Sequence, residues 1–163
     1  MLLKSAYTVF IGVLLATFVG VGIAAFYQAP QYPELSRTKP SPLLLEDREK
    51  NATLSAEIVK EQELMEDVYQ KYQDETKLYN RNVSVISLSA SVLLLILSLT
   101  LASKLVVIAD GLLLGGVLTL LYSIIRGFQS EDSKFRFVVV SIGLVISLVL
   151  GYIKFVKNTS KTR

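Results

Sequence analysis

The chain has 163 residues, of which 52% are hydrophobic and 19% charged, and a formal net charge of +3. That length allows one ordinary domain or one small helical bundle. Cysteine and histidine are both absent, which excludes disulfides, thiolate chemistry, Cys/His zinc sites and a histidine general base.

The charges are unevenly placed. No charged side chain lies between Lys4 and Glu34, between Arg81 and Lys104, or between Arg136 and Lys154, and only Asp110 lies between Lys104 and Arg126. A helix crosses a bilayer with roughly 20 apolar residues, so the pattern predicts four transmembrane helices. The first is expected at residues 5–27. It has a single Lys4 before an apolar run longer than the roughly 7–15 residues of a signal peptide, and it reads as an uncleaved span.

Residues 28–42 hold all four prolines, Pro30, Pro33, Pro40 and Pro42, and are expected to be an extended connector. Residues 43–82 are rich in Glu, Lys, Gln and Leu and contain no Gly or Pro, which predicts an extramembrane helical arm. Leu54, Ile58, Met65, Val68, Tyr72 and Tyr79 fall on one stripe in steps of three and four, broken by Glu61 and Glu75. This imperfect heptad is a coiled-coil-like contact face. The arm is expected to run on into the second span, with residues 80–82 as a candidate bend.

The second span is expected at residues 83–102 and the third at 105–125, joined by the short Ser103-Lys104 turn into an antiparallel hairpin. The fourth is expected at 135–155, followed by a basic tail, 156–163. Aromatics mark the membrane edges, among them Tyr7, Tyr27, Tyr79, Tyr122 and Tyr152. The predicted fold is all-α, a four-helix transmembrane bundle with a helical arm between helices one and two.

Small residues recur every fourth position: Gly12, Ala16 and Gly20 in the first span, Gly111 and Gly115 in the third, Gly143, Ser147 and Gly151 in the fourth. Ser84, Ser87, Ser91 and Ser98 lie near one face of the second. Such faces permit the close backbone approach on which packing in lipid depends, either inside one monomer or between copies.

Asp110 lies six residues from Lys104, about 9 Å along a helix. If the helices alternate in direction, Tyr7, Thr8, Ser98 and Tyr152 share its depth, and Lys4 or Lys154 can reach it from the interface. An intramembrane acid reads either as a proton- or cation-handling group or as a protonated or hydrogen-bonded Asp that locks the packing. Paired acids such as Glu66-Asp67 and Asp74-Glu75 alternate with Lys and read as a solvated face. No nucleophile–base pair is present, so no enzyme activity, cofactor or metal is expected. The net charge gives no reason to expect nucleic acid. The Lys and Arg distribution inclines toward cytoplasmic termini, through Lys4, Lys104, Lys154, Lys157, Lys161 and Arg163.

The stretches VGVGIAAFYQAPQYPE (19–34) and IADGLLLGGVLTLLYSIIRGF (108–128), the SEDSKFRF loop and the ending LGYIKF resemble those of uncharacterised bacterial four-span membrane proteins. The resemblance covers most of the chain. It implies the same architecture and a bacterial inner membrane, and carries no activity. The expected function is a non-enzymatic membrane scaffold or accessory subunit that docks a protein partner, or self-associates, through its arm. The alternatives are a small transporter or channel component centred on Asp110, and an insertase-like assembly factor.

Overall fold

The computed structural model describes residues 2–33, 52–102 and 104–153, with side chains from residue 59 onward in the second stretch. The described residues form four helices and no strand: α1 (Leu2–Phe26), α2 (Ala52–Leu101), α3 (Val106–Phe128) and α4 (Ser133–Gly151). All four contain a stretch long and apolar enough to cross a membrane. The chain divides into a unit made of Met1–Ala29 and Lys77–Arg163 and a second made of Pro30–Thr76. Connector residues 34–42, the start of the arm (43–51) and the tail lie outside the described residues, as do the side chains of Leu54 and Ile58.

Local chemistry sets the helix ends. The last turn of α1 closes with Tyr27 N–H donating to Ile23 O at 2.7 Å, and Pro30 and Pro33 follow, where helix cannot continue. α2 has no Gly or Pro over 50 residues, so nothing separates its polar first part from its apolar second part. The candidate bend at 80–82 is helical throughout. Its end turns sharply, with the amides of Lys104 and Leu105 both donating to Leu101 O at 3.0 and 2.9 Å. α4 begins on a capping residue: Asp132 Oδ1 accepts from the amides of Lys134 (2.9 Å) and Phe135 (3.2 Å). Just before it, Glu131 takes a left-handed conformation with φ 58°.

In the first unit α3 is the central helix. It buries Ala109, Gly111, Gly115, Gly116, Thr119, Leu120, Ser123 and Gly127, whereas α1 buries Gly12 and Ile23 and α4 buries Val139 and Gly143. All but Leu120 of the α3 set are small, which lets three neighbours approach one backbone.

The α1–α3 contact is made of glycine against side chain. A Cβ on Gly12 would stand 2.8–2.9 Å from Leu114, one on Gly111 2.7–2.8 Å from Ile11, and one on Gly115 2.9 Å from Leu15 Cβ and 3.2 Å from Gly12 O. The α2–α3 contact combines a glycine contact, where a Cβ on Gly116 would stand 2.6–2.8 Å from Leu95, with serine hydrogen bonds. Ser84 Oγ donates to Ser123 O at 2.8 Å, while Ser123 Oγ donates to Ser84 O at 2.7 Å. Ser98 Oγ donates to Ala109 O at 2.7 Å. Ser87 bonds within its own helix, to Val83 O at 2.7 Å. Fully buried Ser91 Oγ finds no partner among the described residues. α4 meets α3 where Gly143 faces Ile124 Cδ1.

In the second unit the connector's Tyr32 packs edge-on against Tyr72 (5.3 Å between ring centres) and Tyr69 (6.4 Å). Part of the arm's aromatic face is therefore covered by the connector of the same chain.

Candidate functional site

α3 carries one acid near its start and one base near its end, and their surroundings differ. Asp110 stands four residues after Val106, about 6 Å along the axis. α3 is about 34 Å long against a hydrocarbon core of about 30 Å, so a carboxylate at that position lies about one turn inside the headgroup level, well away from the midplane. Leu105 at the head of α3 supplies no side-chain cap.

Half-buried Asp110 lines two cavities. The smaller, about 260 Å³, lies among Ser98, Leu99, Ala102, Val106, Ala109 and Leu113. The larger, about 650 Å³, is walled from α1 by Lys4, Ser5, Thr8 and Val9 and from α3 by Val106, Val107, Leu113 and Leu114. A third, about 500 Å³ and almost wholly apolar, shares Lys4 and Val107 with the second and adds Leu3, Ala6, Tyr7 and Phe10. Asp110 and Ser5 each have an interaction partner.

Of the residues expected at this depth, Ser98, Thr8 and Lys4 line a cavity with Asp110. Tyr7 lines the adjoining apolar one. Tyr152 is 63% exposed and lines none of the three, because α4 packs on the far part of α3 through Val139 and Gly143. Of the small residues, Gly12, Gly111 and Gly115 meet across α1 and α3, Gly143 faces Ile124, and Ala16 is partly buried. Gly20 and Gly151 have open space where a side chain would begin.

At the opposite end of α3, half-buried Arg126 is held by several groups of this chain. Its Nε donates to Tyr122 OH at 3.0 Å, and one terminal nitrogen donates to Asn80 Oδ1 at 2.9 Å and Gln129 Oε1 at 3.3 Å. Its guanidinium lies 5.4 Å from the Tyr122 ring centre and 5.8 Å from that of Tyr79, within cation–π range. Tyr79 stacks on Tyr27 with ring centres 5.2 Å apart and planes 4° from parallel. Tyr27 OH accepts from Asn82 Nδ2 at 2.8 Å. Ile23, Tyr79 and Val83 form the buried cluster beneath. Sequence reasoning marked these tyrosines as edge aromatics, and Tyr79 also as the end of the arm's stripe. Applying to Arg126 the depth argument used for Asp110 would have grouped them.

On the arm, Met65 and Tyr72 are half-buried, while Val68, Val59, Leu64 and Tyr69 are exposed. Among the described residues no group of His, Cys, Asp and Glu is placed to hold a metal ion.

Fold and site together define an all-helical, multi-pass membrane protein. Comparison with models of protein families, with curated proteins and with solved structures finds no match.

Proposed function

We propose that the protein is a non-enzymatic membrane scaffold or accessory subunit that holds a protein partner through its arm. The observation that carries this reading is α2 itself. One unbroken helix presents exposed Leu64, Val68 and Tyr69 in its arm, and in its apolar part is bonded to α3 through Ser84 and Ser98. Residues 59–77 hold six acids (Glu61, Glu63, Glu66, Asp67, Asp74 and Glu75) against Lys60, Lys71 and Lys77. The partner surface that fits is an apolar helix or strip flanked by basic residues.

The test is photo-crosslinking from position 69 in membranes. A discrete adduct is expected, weakened by high salt and lost in the Leu64→Ser, Val68→Ser double variant. It should persist when exposed Phe137 and Leu144 of α4 are changed instead. A crosslink pattern indifferent to the arm substitutions contradicts the reading.

The proposal includes a bacterial cytoplasmic membrane with both termini inside, supported by the resemblance to four-span bacterial proteins and by the acid-free basic residues at Lys4, Lys104 and the tail. This puts the arm outside. Single cysteines introduced into the naturally Cys-free chain at the arm and tail should react with an impermeant reagent only at the arm. The reverse result would favour an insertase-like role, which needs a cytoplasmic arm.

The ion-handling alternative rests on Asp110 lining two cavities, and has its own test. Flux into liposomes that falls to background in Asp110→Asn would support it. Equal background flux in both proteins would end it.

A further inference from the structure

The larger cavity at Asp110 has a composition that packing alone does not call for. Its lining brings Lys4, Ser5 and Thr8 of α1 and Asp110 of α3 to one space. A simple cation entering it meets Lys4, and a simple anion meets Asp110. A ligand with both charges complements both.

The neighbouring cavity sharing Lys4 and Val107 is apolar and lined by Leu3, Ala6, Tyr7 and Phe10, of which Leu3 and Phe10 are 85% and 60% exposed. The space holding both charges thus opens beside a more apolar one, about one turn inside the headgroup level, as an amphiphile requires. We infer that this cleft between α1 and α3 binds a zwitterionic phospholipid with a primary ammonium, its phosphate on Lys4 and its ammonium on Asp110.

The choice of a primary ammonium follows from the lining. A carboxylate and hydroxyl oxygens accept N–H donors, and an ionised carboxylate accepts at two oxygens, so an existing partner does not saturate Asp110. A quaternary ammonium donates no hydrogen bond and is held by aromatic faces. The aromatics here, Tyr7 and Phe10, line the apolar space rather than the one containing Asp110. The lysine stem is long enough to follow a phosphate between the two spaces. The inference is independent of the arm's role.

The test is native mass spectrometry of the full chain in mild detergent, titrated with phosphatidylethanolamine, phosphatidylcholine and phosphatidylglycerol of identical acyl chains, and with chain-free glycerophosphoethanolamine. Phosphatidylethanolamine should reach half-occupancy at about a tenfold lower concentration than the other two lipids, as one charge-assisted contact implies. The chain-free headgroup should bind far more weakly. Asp110→Asn should abolish the preference over phosphatidylglycerol, and Lys4→Gln should weaken both of those lipids. Val107→Trp, which alters neither charge, should lower occupancy by filling the shared wall, with an unchanged melting temperature showing that it folds. Wild-type protein that prefers phosphatidylglycerol, or an ethanolamine preference that survives Asp110→Asn, overturns the inference. Equal binding of the chain-free headgroup would do the same.

Discussion

The two ends of α3 hold one half-buried charge each, in different surroundings. Arg126 is surrounded by Tyr122, Asn80, Gln129 and the Tyr79 ring, all from this chain. Asp110 instead lines two cavities whose walls include Lys4, Ser5, Thr8 and Ser98. A charge near a membrane core needs compensation by something. At Arg126 the protein supplies it. At Asp110 this chain also supplies a partner, and the cavities leave room for an outside group to contribute as well. The contrast marks the Arg126 end as a structural clamp and the Asp110 end as the place to look for a ligand.

The comparison is broken most sharply at Arg126. Arg126→Ala removes the donor to Asn80, which is 5% exposed, and the cation over two rings. The expected loss is about 3 kcal/mol, from an orphaned buried acceptor plus cation–π attraction. Unfolding in detergent followed by steric trapping measures it. Arg126→Lys should recover little, since an ammonium cannot reproduce the planar fork.

Next in size is the glycine seam. Gly115→Val drives a side chain into Leu15 and the Gly12 carbonyl, and should cost about 1–3 kcal/mol by overpacking. Gly20→Ala meets nothing within 4 Å and should be neutral or stabilising in the same assay.

The serine seam should respond less, and with two signs. Ser84→Ala breaks a reciprocal pair with Ser123 and should cost about 0.6 kcal/mol, at most about 1.7, the range for interhelical bonds in lipid. Ser91→Ala deletes a buried hydroxyl without a partner and should leave stability equal or raised. Of comparable size, Asp132→Ala should lose about 1 kcal/mol or less through the α4 cap, read as earlier exchange of the Lys134 and Phe135 amides.

Much of the fold was legible because it depends on chain-local properties. Uncharged stretches of sufficient length, prolines gathered after residue 28 and a Gly- and Pro-free arm require no knowledge of neighbours. The serines of α2 were visible as a face for the same reason, and all four are buried. Pairings between helices were not legible. That Gly12 meets Leu114, that Gly20 faces open space, and that Tyr152 stays apart from Asp110 all depend on the order of helices around α3. Tyr32 covering Tyr72 depends on the path of a connector whose prolines predict extension but not direction. The arm seam is thus partly occupied from within, which shifts its available apolar surface to Leu64, Val68 and Tyr69.

The most direct measurement compares Arg126→Gln and Asp110→Asn side by side, as unfolding free energies in lipid-free detergent. Arg126→Gln should lose about 2 kcal/mol or more through its orphaned partners. Asp110→Asn, which keeps shape and hydrogen-bonding capacity, should stay within about 0.5 kcal/mol of wild type. A large loss at Asp110 with little change at Arg126 would contradict the assignment of clamp and site to the two ends of α3.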